Sequence, residues 1–103
     1  MHADPSVVVQ RFEAVSKAAA ALVMAGRFVF CPIAHSHPMA VYGGLAGNWD
    51  FWKNIDEQWL GLCSEFHVLK LVGWEHSTGV AAETEIAKEM GLPIFYHELG
   101  EFI

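Results

Sequence analysis

The chain has 103 residues, and twelve acidic against six basic side chains give it a net charge of −6. That balance excludes a general binder of nucleic-acid polymers, which needs a basic surface to displace counterions from phosphates. With 53% hydrophobic and 17% charged residues, disorder is excluded too, and a strongly buried protein, expected as a homo-oligomer (dimer or higher), is favoured.

Asp4 and Pro5 form a helix start, a cap followed by a first-turn proline, and Val8, Phe12, Val15, Ala19 and Leu22 carry an apolar stripe to Gly26. "RFVFC", residues 27–31, is expected as a short strand stopped by Pro32. "PIAHSHPMAVYGGLAGN", residues 32–48, is expected as a loop, and loops of such length in compact domains usually serve a site. From Asp50 to Cys63 the helical period returns, with Phe51, Ile55, Trp59 and Leu62 on one face. "FHVLKLVG" is apolar almost throughout, as a strand covered by helices on both faces reads. A helix capped by Ser77 and ended by Gly91 follows, then "PIFYH" as a last strand. Alternating helices and strands imply an α/β fold with a mostly parallel sheet, in one domain over residues 1–103.

The first residues, "MHADPSVVVQRF", lack the charged and apolar regions of a signal peptide, and no run reaches the roughly 18 apolar residues of a membrane span. A soluble cytoplasmic protein without membrane partners is the expectation. Cys31 and Cys63 belong to no C-x-x-C pair and are expected as reduced packing residues.

Ligands of parallel α/β folds bind outside the carboxyl ends of the strands, which directs attention to residues 31–37, 73–83 and 97 onward. On the helix after Ser77, Val80, Thr84, Ala87 and Met90 share one side, and Glu85, Lys88 and Glu89 the other. Glu83 lies on the apolar side, where a carboxylate is poorly solvated and suited to meet developing positive charge. A structural role, paired with a cation or reaching solvent, is the alternative. Ser77, with the N–H groups of Thr78 and Gly79, forms an anion site able to hold a 5′-phosphate, as well as an ordinary N-cap. His35 and His37, two apart, could share one face of an extended segment, but no third ligand follows at a metal-site spacing, so His35 is expected to shape a pocket through hydrogen bonds. Trp74, just before Ser77, is the best candidate for stacking a nucleobase among Trp49, Trp52, Trp59 and itself.

"VFCPIAHSHPMA", "DEQWL" and "GWEHSTGVAAETEIA", in that order, resemble the nucleoside 2-deoxyribosyltransferase-like superfamily, nearest to a branch of small bacterial and phage proteins of undefined function. The resemblance spans nearly the whole chain and is most specific at Ser77, Gly79 and Glu83. It implies a flavodoxin-like three-layer sandwich, with Glu83 as nucleophile, Asp56 beside the departing base and Ser77 on the sugar or its phosphate. It implies exchange or hydrolysis at the N-glycosidic bond of a nucleoside or nucleotide, with no metal or cofactor. It also expects a strand ahead of the first helix that this sequence does not contain, and hence an N-terminally shortened domain. The rival expectation is a non-catalytic nucleotide-binding or structural oligomer that retains the fold.

Overall fold

A computed structural model describes residues 4–102. Helix α1 spans Pro5–Met24. Asp4 is extended, and its carboxylate accepts from the Ser6 N–H at 2.9 Å and the Ser6 hydroxyl at 2.8 Å. One of the free N–H groups of the first turn is thereby satisfied. Pro5 costs the helix nothing at its first position, because that N–H has no partner within the helix. Gly26, at φ +91°, turns the chain out of the helix.

Residues 27–31 form neither strand nor helix. Among the described residues the backbones of Phe28, Val29 and Phe30 pair with no other backbone, and Phe28 is fully exposed at 106% of its reference surface. β-propensity reports fit to a paired, half-buried surface, and here there is no neighbouring strand. Phe30 instead stacks on Trp59, with ring centres 4.8 Å apart and planes within 9°.

The expected loop that follows is largely helix: α2 spans Pro32–Gly43. Pro32 is the stop signal of the preceding segment and also the first-turn residue of this helix, a double meaning that the sequence pattern does not resolve. The His35 N–H reaches the Cys31 carbonyl at 3.0 Å. Pro38 lies inside the helix and removes one intrahelical donor. Gly44, at φ +66°, closes the helix in the left-handed conformation that glycine takes without penalty.

Helix α3, Trp49–Leu60, is capped by Asn48, whose side chain accepts from the Phe51 N–H at 3.0 Å. Trp52, Asp56 and Leu60 recur every four residues and form its buried face. Strand β1, Phe66–Lys70, leads through a short 3-10 turn, Trp74–His76, into α4, Thr78–Glu89. Ser77 caps α4, its hydroxyl accepting from the Val80 N–H at 3.3 Å. Strand β2, Ile94–Glu98, runs parallel to β1 in register from Phe66 opposite Ile94 to Lys70 opposite Glu98. A last 3-10 turn spans Leu99–Phe102.

The fold is therefore α/β, four helices around a parallel pair of strands among the described residues. Helix α4 packs on both strands and on α3, and α1 on α2 and on the last turn. The expectation of a strand covered on both faces is met only at Val68: it is buried at 3% exposure, while the rest of β1 is partly open. With Ala18, Trp52, Leu60 and Ala87, Val68 makes a thin apolar core. Met24, Tyr42, Leu62 and Val72 join Phe28 on the surface. No helix among the described residues is long and apolar enough to cross a membrane.

Leu60 and Leu62 lie two residues apart on opposite sides of this boundary, at 6% and 81% exposure. Leu60→Ala is expected to lower the unfolding free energy by about 2–4 kcal/mol through lost burial and a residual cavity. Leu62→Ala should change it by less than about 0.5 kcal/mol. Chemical denaturation of the two variants beside the parent checks both.

Candidate functional site

A cavity of about 130 Å³ opens where α1, the start of α2, α3 and the N-terminal turns of α4 converge. The four helices contribute different chemistry. From α3 come Trp49, Trp52 and Asp56; from α4 and its cap come Ser77, Gly79, Val80 and Glu83; from α2 come Pro32, Ile33, Ser36 and His37; from α1 come Val8 and Arg11. The walls are apolar and aromatic, with a few converging polar groups, which is the composition of small-molecule sites.

Asp56 stands on the buried face of α3 at 6% exposure, because the helical repeat that buries Trp52 and Leu60 buries it too. Its Oδ1 has no hydrogen-bond partner among the described residues. Burial pushes this carboxyl above the usual range, and the charge of the neighbouring His35 opposes the rise. Glu83, on the inward side of α4, is pushed up to about 8, first by burial and then by the negative charge of Asp56. At neutral pH the two carboxyls together therefore hold a proton. Packing of α3 against α4 imposes this, since two like charges in a poorly solvated space cannot both ionise cheaply.

Gly79 and Ser77 form the adjoining wall. A methyl group on Gly79 would sit 3.9 Å from Glu83 Oε1 and 4.0 Å from Trp49, in ordinary contact. The fold tolerates a side chain there, so the space over Gly79 belongs to the cavity. Ser77 already uses its hydroxyl on the Val80 N–H, and the cap and a ligand contact can share the same oxygen.

Four of the six residues singled out from the sequence, Glu83, Asp56, Ser77 and Gly79, thus share one cavity. His35 lies behind Asp56 rather than on the cavity wall, enclosed by Phe30, Trp52 and Trp59 at ring distances of 5.2, 6.4 and 6.3 Å, with its Nδ1 buried and unpartnered. Trp74 stands away from the lining and packs its ring on Tyr96 at 5.7 Å. Because residues 35–37 are helical rather than extended, His35 and His37 diverge, and His37 packs on Phe12 at 4.6 Å. No group of three or more metal-ligating side chains is gathered among the described residues. Cys31, at the cap of α2, and Cys63 are both free, and burial raises both thiols.

Arg11 is the lining residue that the sequence pattern does not single out. Its Nη2 donates to the Val72 carbonyl at 3.1 Å, which ties α1 to the exit of β1 and brings a cation to the rim of the cavity. Its spacing of three from Val8 was the available signal, for residues three apart on a helix share a face.

The raised Glu83 carboxyl has a consequence for stability. Between about 4.5 and about 8 the folded chain binds more protons than the unfolded one, so stability falls as pH rises through that window. The full effect at the alkaline end is on the order of 5 kcal/mol for a rise from 4.5 to about 8. Glu83→Gln, neutral at every pH, should melt higher than the parent at pH 8 and flatten the slope between pH 5 and 8. A set of thermal melts across that range makes the comparison, and parallel slopes for the two proteins would rule out the buried carboxyl.

No curated protein matches the sequence. Residues 1–99 match a family model, and the chain belongs to the family described as Domain of unknown function (DUF1937).

Proposed function

We propose that the cavity binds a 2-deoxynucleoside or its 5′-monophosphate and that Glu83 and Asp56 cleave or exchange the base at the N-glycosidic bond. The observation that supports this most is the pair of carboxyls facing one apolar-walled cavity, one of them protonated at neutral pH. Two carboxyls held in different protonation states are what glycosidic chemistry requires, one to deliver a proton and one to meet the sugar cation.

In this reading the proton held by the pair passes through Asp56 to the nitrogen of the departing base. The C1′–N bond breaks as Glu83 becomes ionised, and its carboxylate bonds to C1′ as the oxocarbenium character develops. Water or a second base then attacks C1′, the ester to Glu83 breaks, and the proton given up by the nucleophile returns to the pair. Configuration is retained after two displacements. Trp49, Trp52, Ser77 and Arg11 all line the cavity, and in this reading the two indoles flank the sugar or base while Ser77 with the α4 N-terminus receives a 5′-phosphate beside Arg11. The chemistry calls for neither metal nor organic cofactor. We infer a homo-oligomer, because large side chains such as Phe28, Leu62 and Val72 are left exposed on the single chain.

One observation favours a second reading. A volume of about 130 Å³ is below the roughly 300 Å³ at which ligand pockets usually begin, so the single chain encloses a pentose-sized group rather than a whole nucleotide. A non-catalytic nucleotide-binding protein of the same fold would have such a cavity without turnover.

Incubating the purified chain with a panel of 2-deoxynucleosides and their 5′-monophosphates, with chromatography for free base, separates the two. Base release is expected, with kcat/KM falling above about pH 8 as the pair loses its proton. Glu83→Gln should lower turnover at least about a hundredfold while remaining folded. A folded chain that melts higher with a nucleotide but frees no base supports the binding protein instead.

Arg11→Gln tests the phosphate assignment. It should lower kcat/KM for the monophosphates by about tenfold to a hundredfold, as loss of a charge-assisted hydrogen bond does, and leave the unphosphorylated nucleosides nearly unchanged. Equal losses on both substrate sets would remove the phosphate from this rim.

A further inference from the structure

Away from the cavity, the sheet carries a chain of hydrogen bonds that runs carboxylate, imidazole, imidazole, carboxylate. His67 and His97 lie on the same face of the paired strands, diagonal across the ladder, since Leu69 is the residue opposite His97. Their rings are parallel within 10°, with centres 5.0 Å apart, and His67 Nδ1 is 2.7 Å from His97 Nε2. The outer nitrogens are also engaged: His67 Nε2 with Glu65 at 3.0 Å and His97 Nδ1 with Glu101 at 2.9 Å.

Counting protons along this chain leaves one arrangement. A carboxylate can only accept, so each outer nitrogen carries hydrogen. Glu65 and Glu101 are both held below the usual carboxylate range, foremost by those hydrogen bonds from His67 and His97, which keeps them in the accepting form. If each ring had only its outer hydrogen, two lone pairs would face one another at 2.7 Å. If each ring were doubly protonated, two N–H groups would. The contact closes only with one proton between the inner nitrogens, three on the four nitrogens in all.

Other charges stand around the cluster. Arg27 donates to Glu65 at 2.9 Å. Lys70 pairs with Glu98 at 3.1 Å at the end of the same ladder, and its charge also reaches Glu101. Phe95, opposite His67 on the ladder, stacks on its ring at 4.9 Å. The ion pair of α4, Lys88 with Glu85, stays within its own helix, and α1 brings no ion pair to the last turn among the described residues.

We propose that His67 and His97 share a single proton and form a pH-gated clasp that fastens the last turn, Leu99–Phe102, to the end of the sheet. Glu101 is the moving part. It accepts from His97 through one oxygen and from the Glu98 backbone N–H at 3.0 Å through the other, so it anchors the turn only while His97 is oriented toward it. Because α1 packs on that turn, opening the clasp loosens a contact between the sheet end and the first helix. Removing the shared proton and adding a second one both open it. The device is therefore closed in a band of pH with an acid and an alkaline limit, unlike a lone histidine, which has one.

The test is a pH series of long-range 1H–15N spectra of the full chain labelled in its histidine rings, with hydrogen exchange of the Glu98 amide in the same samples. The two rings are expected to respond together, each reporting the protonation of the other. Greatest protection of the Glu98 amide should fall between the acid and alkaline limits. His97→Phe, which keeps an aromatic ring beside His67, should leave His67 to titrate alone and abolish the band of protection. Independent one-step titrations of His67 and His97 in the parent chain, with Glu98 protection that follows only one of them, would overturn the clasp, and that result needs no variant to fold. The proposal is independent of any activity at the cavity.

Discussion

The contact between α3 and α4 is the constraint on which the candidate chemistry rests. Trp52, Asp56 and Leu60 form one stripe of α3, and the same periodicity that buries two apolar residues carries a carboxyl inward with them. Opposite, α4 contributes its own thin face, with Ala87 fully enclosed and Glu83 one turn earlier. Trp49, Trp52 and Asp56 of α3 and Ser77, Gly79, Val80 and Glu83 of α4 and its cap line the cavity. The carboxyls are thus held by rigid elements rather than by loops, which favours precise placement of reacting groups.

How much of this was legible in the sequence differs from element to element, for physical reasons. Helices α1 and α4 carry their own start signals in Asp4 and Ser77, whereas α3 is legible from its period alone, its cap Asn48 having read as the end of the preceding loop. Ser77, Gly79 and Glu83 were legible because they belong to one helix, where spacing fixes direction. Residues 27–31 and α2 were misread for the converse reason. "RFVFC" has the composition of a strand, yet pairing is a property of the neighbour, and no such neighbour is described. In α2 the prolines at 32 and 38 and the two glycines read as loop chemistry, while the helix is supported by packing on α1 that no local signal announces. Arg11 and the inward position of Trp49 depend on how separate helices meet, which single-segment periodicity does not contain.

The sheet poses a related problem. A parallel pair is viable only when covered, because its crossover helix leaves the strands with one paired edge each. Helix α4 covers both strands, but among the described residues the far edge of β1 has no partner strand, and Phe28, Val29 and Phe30, tied to the start of β1 through Arg27 and Glu65, have backbones that pair with no other. Phe28 is exposed there, as is Val72 just past the end of β1. The apolar content that composition assigns to a large core is thus divided between a small core and an open surface. That division, rather than composition alone, supports association of chains in the proposed function.

Charge is organised with the same economy of residue types. Glu65 and Glu101, on the surface, are pulled down by hydrogen bonds from histidines, whereas Glu83 is pushed up by burial and a like charge. Glutamates with one intrinsic acidity thus work in opposite regimes within a chain of 103 residues. Glu83 lies between helices and the histidines lie across strands, so the two sets of carboxyls stand in separate parts of the fold. The fold separates the buried carboxyl of the cavity from the hydrogen-bonded carboxyls at the end of the sheet, and that separation of environments is why their acidities move in opposite directions.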